Sequence, residues 1–243
     1  DYRTGAVIPA FSPGELYDLN SDPAGARNLA GQQTAQAASL EQQYRQWRQD
    51  KVRVSLQSQP LSGSGHAVLS GDDFRRAPGY GAWSLAIGTR LPAPGFKQPL
   101  YLAWQKDVWS LAYNPDGSFT VQLGSQRLTS TVLSQRDSSQ ACVPVVLSSW
   151  FTRSRLHEGN NTAYLQLYAG NETLLAWQQE NPPELATDLS VSTWIGQDEQ
   201  GQGRWPTKLG PARFYNAALN TDPAATLDRL QPVQQAACAS LMP

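Results

Sequence analysis

The stretch W-I-G-Q-D-E-Q-G-Q-G-R-W-P-T-K-L-G-P-A-R-F-Y-N-A-A-L, from Trp194 to Leu219, decides how the rest of the chain reads. It opens as the end of a strand and passes into a loop that carries Gly201, Gly203, Arg204 and Trp205. A returning strand over 209–215 ends in the aromatic pair Phe214 and Tyr215, and an Asn-Ala-Ala-Leu turn follows. Immediately upstream, residues 164–168 and 173–177 alternate apolar and polar side chains across the connection Ala169-Gly170-Asn171-Glu172, which predicts a hairpin.

Outward from there the two-residue period continues. It predicts strands over 52–56, 66–69, 83–90, 100–105, 108–113, 118–123, 127–133, 143–151 and 191–196. Trp83, Leu85 and Ile87 share one face of their strand, as do Phe119, Val121 and Leu123 of theirs. Asn114-Pro115-Asp116-Gly117 is turn chemistry, with proline preset for the second position and glycine free to take positive φ. The 17 Pro and 19 Gly suit many turns and few long helices. About a dozen short strands of this kind predict an all-β fold, a two-sheet antiparallel sandwich. At 243 residues, one large domain and an appendage fit. No fixed-period repeat, low-complexity tract or charge block interrupts the chain.

The two ends differ from this middle. Residues 1–52 begin extended, and Ala37, Leu40, Tyr44 and Trp47 then recur at steps of three and four, predicting an amphipathic helix over 33–49. Its apolar stripe must bury against the sandwich or against another domain. At the other end, residues 221–243 start a short helix at Thr221-Asp222-Pro223, with Leu227 and Leu230 inward and Pro232 as its stop. Cys142 and Cys238 are the chain's two cysteines, and a disulfide between them would pin that tail. Closing so long a loop is worth roughly 4–5 kcal/mol in the chain-entropy model, and it implies an oxidising compartment. The chain starts at Asp1 with Met242 as its one methionine, which reads as a processed product or an excised fragment.

Two resemblances add to this pattern. The strings over 164–177 and 194–219 are similar to the last strands of laminin-G-like and concanavalin A-like jelly rolls. That likeness implies a jelly roll over 53–220 and a function in binding. Residues 15–29, E-L-Y-D-L-N-S-D-P-A-G-A-R-N-L, followed by an amphipathic helix, resemble the C-terminal end of bacterial sulfatases of the alkaline-phosphatase superfamily. Glu15, Leu16, Tyr17, Asp18, Leu19, Asp22, Pro23, Asn28 and Leu29 match the family's string, while Gly25 stands where an acidic residue is usual. This second likeness implies attachment to a secreted or periplasmic sulfatase-like hydrolase, not sulfatase chemistry here. Cys142-Val143-Pro144-Val145-Val146 lacks the arginine of the family's C/S-x-P-x-R motif and reads as a buried strand, so Cys142 is structural.

Little else carries chemistry. Formal net charge is −1, charged residues make up 16%, and Arg75–Arg76 is the longest cationic run, which argues against a nucleic-acid partner. No apolar run reaches the roughly 18–20 residues that a membrane-spanning helix needs. His66 and His157 stand singly, without zinc-ligand spacing, and no nucleophile-elbow string occurs. The E-x-D-x-x-E string of jelly-roll glycosidases is missing, and the adjacent pairs Asp72-Asp73 and Asp198-Glu199 would point to opposite faces of a strand. Asn160-Asn161-Thr162 and Asn171-Glu172-Thr173 satisfy the N-glycosylation pattern, which has no meaning in a bacterial host.

A glycan site, if it lies on the glycine-rich loop, would use Trp194, Asp198, Glu199, Arg204 and Trp205. Aromatic faces suit sugar rings, and loop carbonyls with carboxylates could hold a calcium ion, the one cofactor the sequence suggests. The competing assignment places Trp194 in the core and Trp205 as its cover. The function expected is a non-catalytic module whose partner is a glycan or the upstream catalytic domain. A protein-contact or cell-surface adhesion module stands second, and a polysaccharide-acting glycosidase or lyase third.

Overall fold

The computed structural model of the chain describes residues 16–18, 20–24, 27–51, 54–62, 65–70, 83–134, 142–153, 161–180, 191–215, 218–219 and 226–241. The alternating segments form strands β1 (Val54–Gln57), β2 (Ala67–Leu69), β3 (Trp83–Thr89), β4 (Leu100–Gln105), β5 (Trp109–Tyr113) and β6 (Phe119–Leu123). They continue as β7 (Gln126–Thr129), β8 (Val143–Arg153), β9 (Asn161–Ala169), β10 (Glu172–Glu180), β11 (Thr193–Ile195) and β12 (Arg213–Tyr215). Helix α1 (Thr34–Lys51) precedes them and helix α2 (Thr226–Cys238) follows. The strands make two six-stranded sheets, ordered β1-β12-β3-β8-β9-β10 and β2-β11-β4-β5-β6-β7, antiparallel at every pairing. The fold is all-β, a two-sheet antiparallel sandwich of the jelly-roll kind.

Facing rows of both sheets supply one core. Leu85, Ile87, Val145, Leu147, Leu165, Leu167 and Phe214 come from the first sheet, and Leu111, Val121, Phe119, Tyr113 and Ile195 from the second. Trp83, Trp109 and Phe214 meet there, with ring centroids 5.2 to 6.4 Å apart. These separations lie in the range of favourable tilted and edge-to-face aromatic pairs.

The first sheet is covered on its other face too. Ala86, Val146, Tyr168 and Tyr215 point away from the sandwich core and pack with Leu219, Val233 and Ala237. Strands buried on both faces read as continuous apolar runs, which explains the Val-rich string after Cys142. The contact is close because glycine permits it. A Cβ on Gly88 would lie 2.3 Å from the Ala237 carbonyl oxygen, and one on Gly210 would lie 2.5 Å from the same atom. The Cys142–Cys238 disulfide closes beside this contact, across a sequence separation of 96. Arg213 donates from Nη1 to the Ala236 carbonyl and Arg90 from Nη2 to that of Leu241. Both cations thereby tie the end of α2 and the turn after it to the first sheet and its flanking loop.

Three expectations change. Pro232 sits inside α2 and does not end it. An interior proline costs about 3 kcal/mol, and here the docking of the last turn and the disulfide outweigh that. The strand over 209–215 divides, since Leu209 only bridges Leu61 and Thr89, and β12 starts at Arg213 beyond Gly210 and Pro211. On α1, Ala37 is half-buried but Leu40 is 45% exposed, so the stripe is not closed at that point. The side chains of Tyr44, Trp47, Leu227 and Leu230, and the backbone at 221–225, lie outside the described residues.

Ahead of α1, the residues of the E-L-Y-D-L string form a small clasp. Asn28 Oδ1 accepts from the Leu16 and Ala30 amides, both at 3.0 Å. Asp18 accepts from the Asn20 amide and the Ser21 hydroxyl, and Asp22 from the Arg27 amide. The Leu29 amide donates to the Leu16 carbonyl at 2.7 Å. The polar residues that match the sulfatase string are thus the ones that tie the segment to itself.

Candidate functional site

The second sheet presents a face that, among the described residues, no helix covers. Cross-strand partners in an antiparallel ladder point to the same side. The register therefore sets one row across all six strands: Val68, Trp194, Trp104, Ser110, Gln122 and Arg127. Tyr101, Ala112, Thr120 and Thr129 form a second row beside it. Leu69, Ile195, Ala103, Leu111, Val121 and Leu128 of the alternate rows belong to the core. No member of the two outward rows does.

A bulge assembles the aromatic part of this face. Tyr101 and Trp104 are three residues apart, and a regular strand would send them to opposite sides. The β4–β5 register shifts between Tyr101 and Ala103, so Leu102 and Ala103 both turn inward and the two aromatics both turn outward. Re-aiming a side chain is the usual consequence of such a bulge. Trp194 lies directly beside Trp104 on the neighbouring strand. His66 stacks on Trp194, with ring centroids 5.6 Å apart and 24° between planes. Trp104, Trp194 and Tyr101 are half-buried, whereas Ser110, Ala112 and Thr120 between and beyond them are small and recessed. The result is a floor of small side chains with flat rings rising at one side.

The loop after β11 forms a wall at the Tyr101 end. The Tyr101 amide donates to the Gly203 carbonyl at 2.7 Å. Gly203 has a φ of +56°, and a Cβ there would lie 2.5 Å from the Tyr101 ring, so glycine is needed twice over. Asp198 organises the loop, with Oδ1 accepting from the Gln200 amide at 2.9 Å and the Gln202 amide at 2.7 Å. Burial raises the Tyr101 phenol above its ordinary value, the Asp198 carboxylate raises it further, and the Arg127 guanidinium opposes both. The net effect is upward, and Arg127 itself lies at the far strand of the same outward face. Tyr101 accordingly remains a protonated donor through neutral pH.

The residues anticipated for the loop divide into three groups. Trp194 leaves the core and joins the outward row. Trp205 does the reverse: fully buried, it packs on Tyr113 with centroids 6.0 Å apart and donates from Nε1 to Thr207 Oγ1 at 2.8 Å. It offers no face to a ligand. Asp198 is buried as the loop's internal acceptor, Glu199 pairs with Lys106 at 3.2 Å, and exposed Arg204 donates from Nε to Gln197 Oε1 at 3.1 Å. No group of three or more His, Cys, Asp or Glu side chains stands together among the described residues. Tyr101, Trp104 and Arg127 complete the face, and strict alternation conceals Trp104 by grouping it with inward Leu100 and Leu102. Two aromatics three residues apart in one strand are the signal that could have found them.

Among the described residues no helix is long and apolar enough to cross a membrane. No protein-family model matches the chain. No curated protein matches it either. Among solved structures it is similar to the binding domain of botulinum neurotoxin serotype D/C, at 13% identity and a TM-score of 0.43 over 74% of this chain and 47% of that one. A binding domain of botulinum neurotoxin DC in complex with rat synaptotagmin II matches at 11% identity and a TM-score of 0.41, covering 74% and 46%. A structure of botulinum neurotoxin type C, whose cell entry depends on interaction with two ganglioside molecules, matches at 10% and 0.38, covering 74% and 44%. The chain spans less than half the length of each structure it matches here.

Proposed function

We propose that this chain is a non-catalytic glycan-binding module whose platform is the outward face of the second sheet. The observation that carries the proposal is the bulged register that sets Tyr101 and Trp104 on one face beside Trp194. Flat rings suit the apolar faces of sugar rings, and the recessed Ser110, Ala112 and Thr120 leave room between them. Neither outward row contains a carboxylate, so the face lacks the acid pair that glycoside hydrolysis uses.

The module would serve a secreted or periplasmic sulfatase-like hydrolase, holding it on its polysaccharide by raising effective concentration. The clasp over 16–30 supports that attachment through the residues that match the sulfatase string, and the disulfide supports an oxidising compartment. A second role, docking against the catalytic domain, is favoured by the exposure of Leu40 on α1. Affinity electrophoresis through gels containing single polysaccharides tests the platform. The wild-type protein is retarded by at least one polysaccharide, and the Trp104→Ala/Trp194→Ala double variant is not. Equal migration of both proteins in every gel would refute the platform.

A further inference from the structure

We infer that the platform is built for an acidic glycan, laid across the strands with an uncharged ring over Trp194 and Trp104 and an oxyanion at Arg127. This inference rests on the glycan-binding proposal and adds the ligand's charge and direction. The outward row changes character along its length. Val68, Trp194 and Trp104 make one end apolar, Ser110 and Gln122 are neutral and polar, and Arg127 closes the other end. Five inter-strand steps of about 4.8 Å make the row about 24 Å long, which suits a chain of several sugar rings better than a single one.

Arg127 is exposed and makes no ion pair among the described residues. The charged groups around the glycine-rich loop are otherwise engaged. Asp198 Oδ1 accepts from two amides of its own loop, and Lys106 is paired with Glu199. The register partner of Arg127, Gln122, sets it on the same side of the sheet as Ser110 and Trp104, three strands from β4. Arg127 therefore stands at the far end of the floor, and a guanidinium suits the two oxygens of a sulfate or carboxylate. Tyr101, still protonated, offers a further donor toward the aromatic end of the face.

The test measures binding of the whole chain to matched polysaccharides: agarose against κ-carrageenan for sulfate, and neutral laminarin against alginate for carboxylate. Wild-type protein, Arg127→Gln and Trp104→Ala are compared at low and at physiological salt. The expected result is that an acidic polymer binds at least about tenfold more tightly than the neutral ones and loses affinity as salt rises. Arg127→Gln then abolishes that preference, and Trp104→Ala weakens acidic and neutral binding alike. The sulfate and carboxylate arms identify which oxyanion is read. If neutral and acidic polymers bind equally, or Arg127→Gln keeps the preference, the inference is overturned and the platform stands. If binding survives Trp104→Ala unchanged, or no polymer binds, the platform itself fails and the inference with it.

Discussion

Replacing Trp205 by alanine should lower the unfolding temperature sharply, and replacing Trp104 should not, although the two tryptophans flank the same face and wall. Trp205 is among the largest fully buried side chains, packed on Tyr113 and hydrogen-bonded to Thr207 at 2.8 Å. The Thr207 hydroxyl in turn donates a hydrogen bond to the Arg90 carbonyl, so the indole is part of a chain of hydrogen bonds as well as of the core. Truncating a buried Trp costs about 3–5 kcal/mol in lost burial and residual cavity. In a domain of this size each kcal/mol moves the melting temperature by roughly 2–4 °C, giving a fall of about 6–20 °C. Trp104 is half-buried outside every core cluster, so its truncation should cost about 1 kcal/mol, or at most about 4 °C. Trp205→Phe keeps a ring in the core and should fall between. Calorimetric or circular-dichroism melts of the three variants suffice. If Trp205→Ala melts within about 2 °C of wild type, or Trp104→Ala melts as low as Trp205→Ala, the assignment of one ring to the core and the other to the platform is wrong.

Other outcomes follow from the same structure. Removing the disulfide with Cys142→Ser/Cys238→Ser should cost about 4.7 kcal/mol in the chain-entropy model for a loop of this length, and a melt shifted by less than about 2 °C would contradict it. Gly88→Ala should destabilise by about 1–3 kcal/mol, because its Cβ would meet the Ala237 carbonyl at 2.3 Å, and denaturant unfolding reads the change. Burial holds the Tyr101 and Tyr215 phenols above the ordinary 10.0, so the folded protein keeps protons that the unfolded chain releases. Stability from these groups is complete below pH 10 and is lost as pH rises through their folded values. Urea unfolding between about pH 9 and 11, with phenolate absorbance followed in parallel, should show that decline and its reduction in Tyr101→Phe.

Much of the fold was legible because local signals agreed with tertiary ones. Period-two alternation located nearly every described strand, and Asn114-Pro115-Asp116-Gly117 is the turn its residues demand, with Asp116 Oδ1 accepting from the Ser118 amide and hydroxyl. The distant pair Cys142 and Cys238 is bonded. What alternation could not reveal was a break in itself. The shift between Tyr101 and Ala103 leaves no glycine or proline as a marker, yet it decides that Trp104 points out. The roles of the two loop tryptophans were not separable either: a ligand-facing and a core-covering Trp205 both fitted the sequence, and the fold-back of the Trp205 amide to the Gly196 carbonyl decides for burial. Pro232 failed as a stop for a similar reason, with docking by Gly88, Arg213 and the disulfide overriding local propensity.

The indole N–H resonances of 15N-labelled protein test the platform most directly, because each tryptophan reports separately. Titration with a polysaccharide fragment that retards the protein in gels should shift the Trp104 and Trp194 indole signals and leave those of the buried Trp205 and Trp109 in place. Shifts confined to Trp205 or Trp109, or to neither pair while binding saturates, would contradict the assignment of the second sheet's outward face as the binding site.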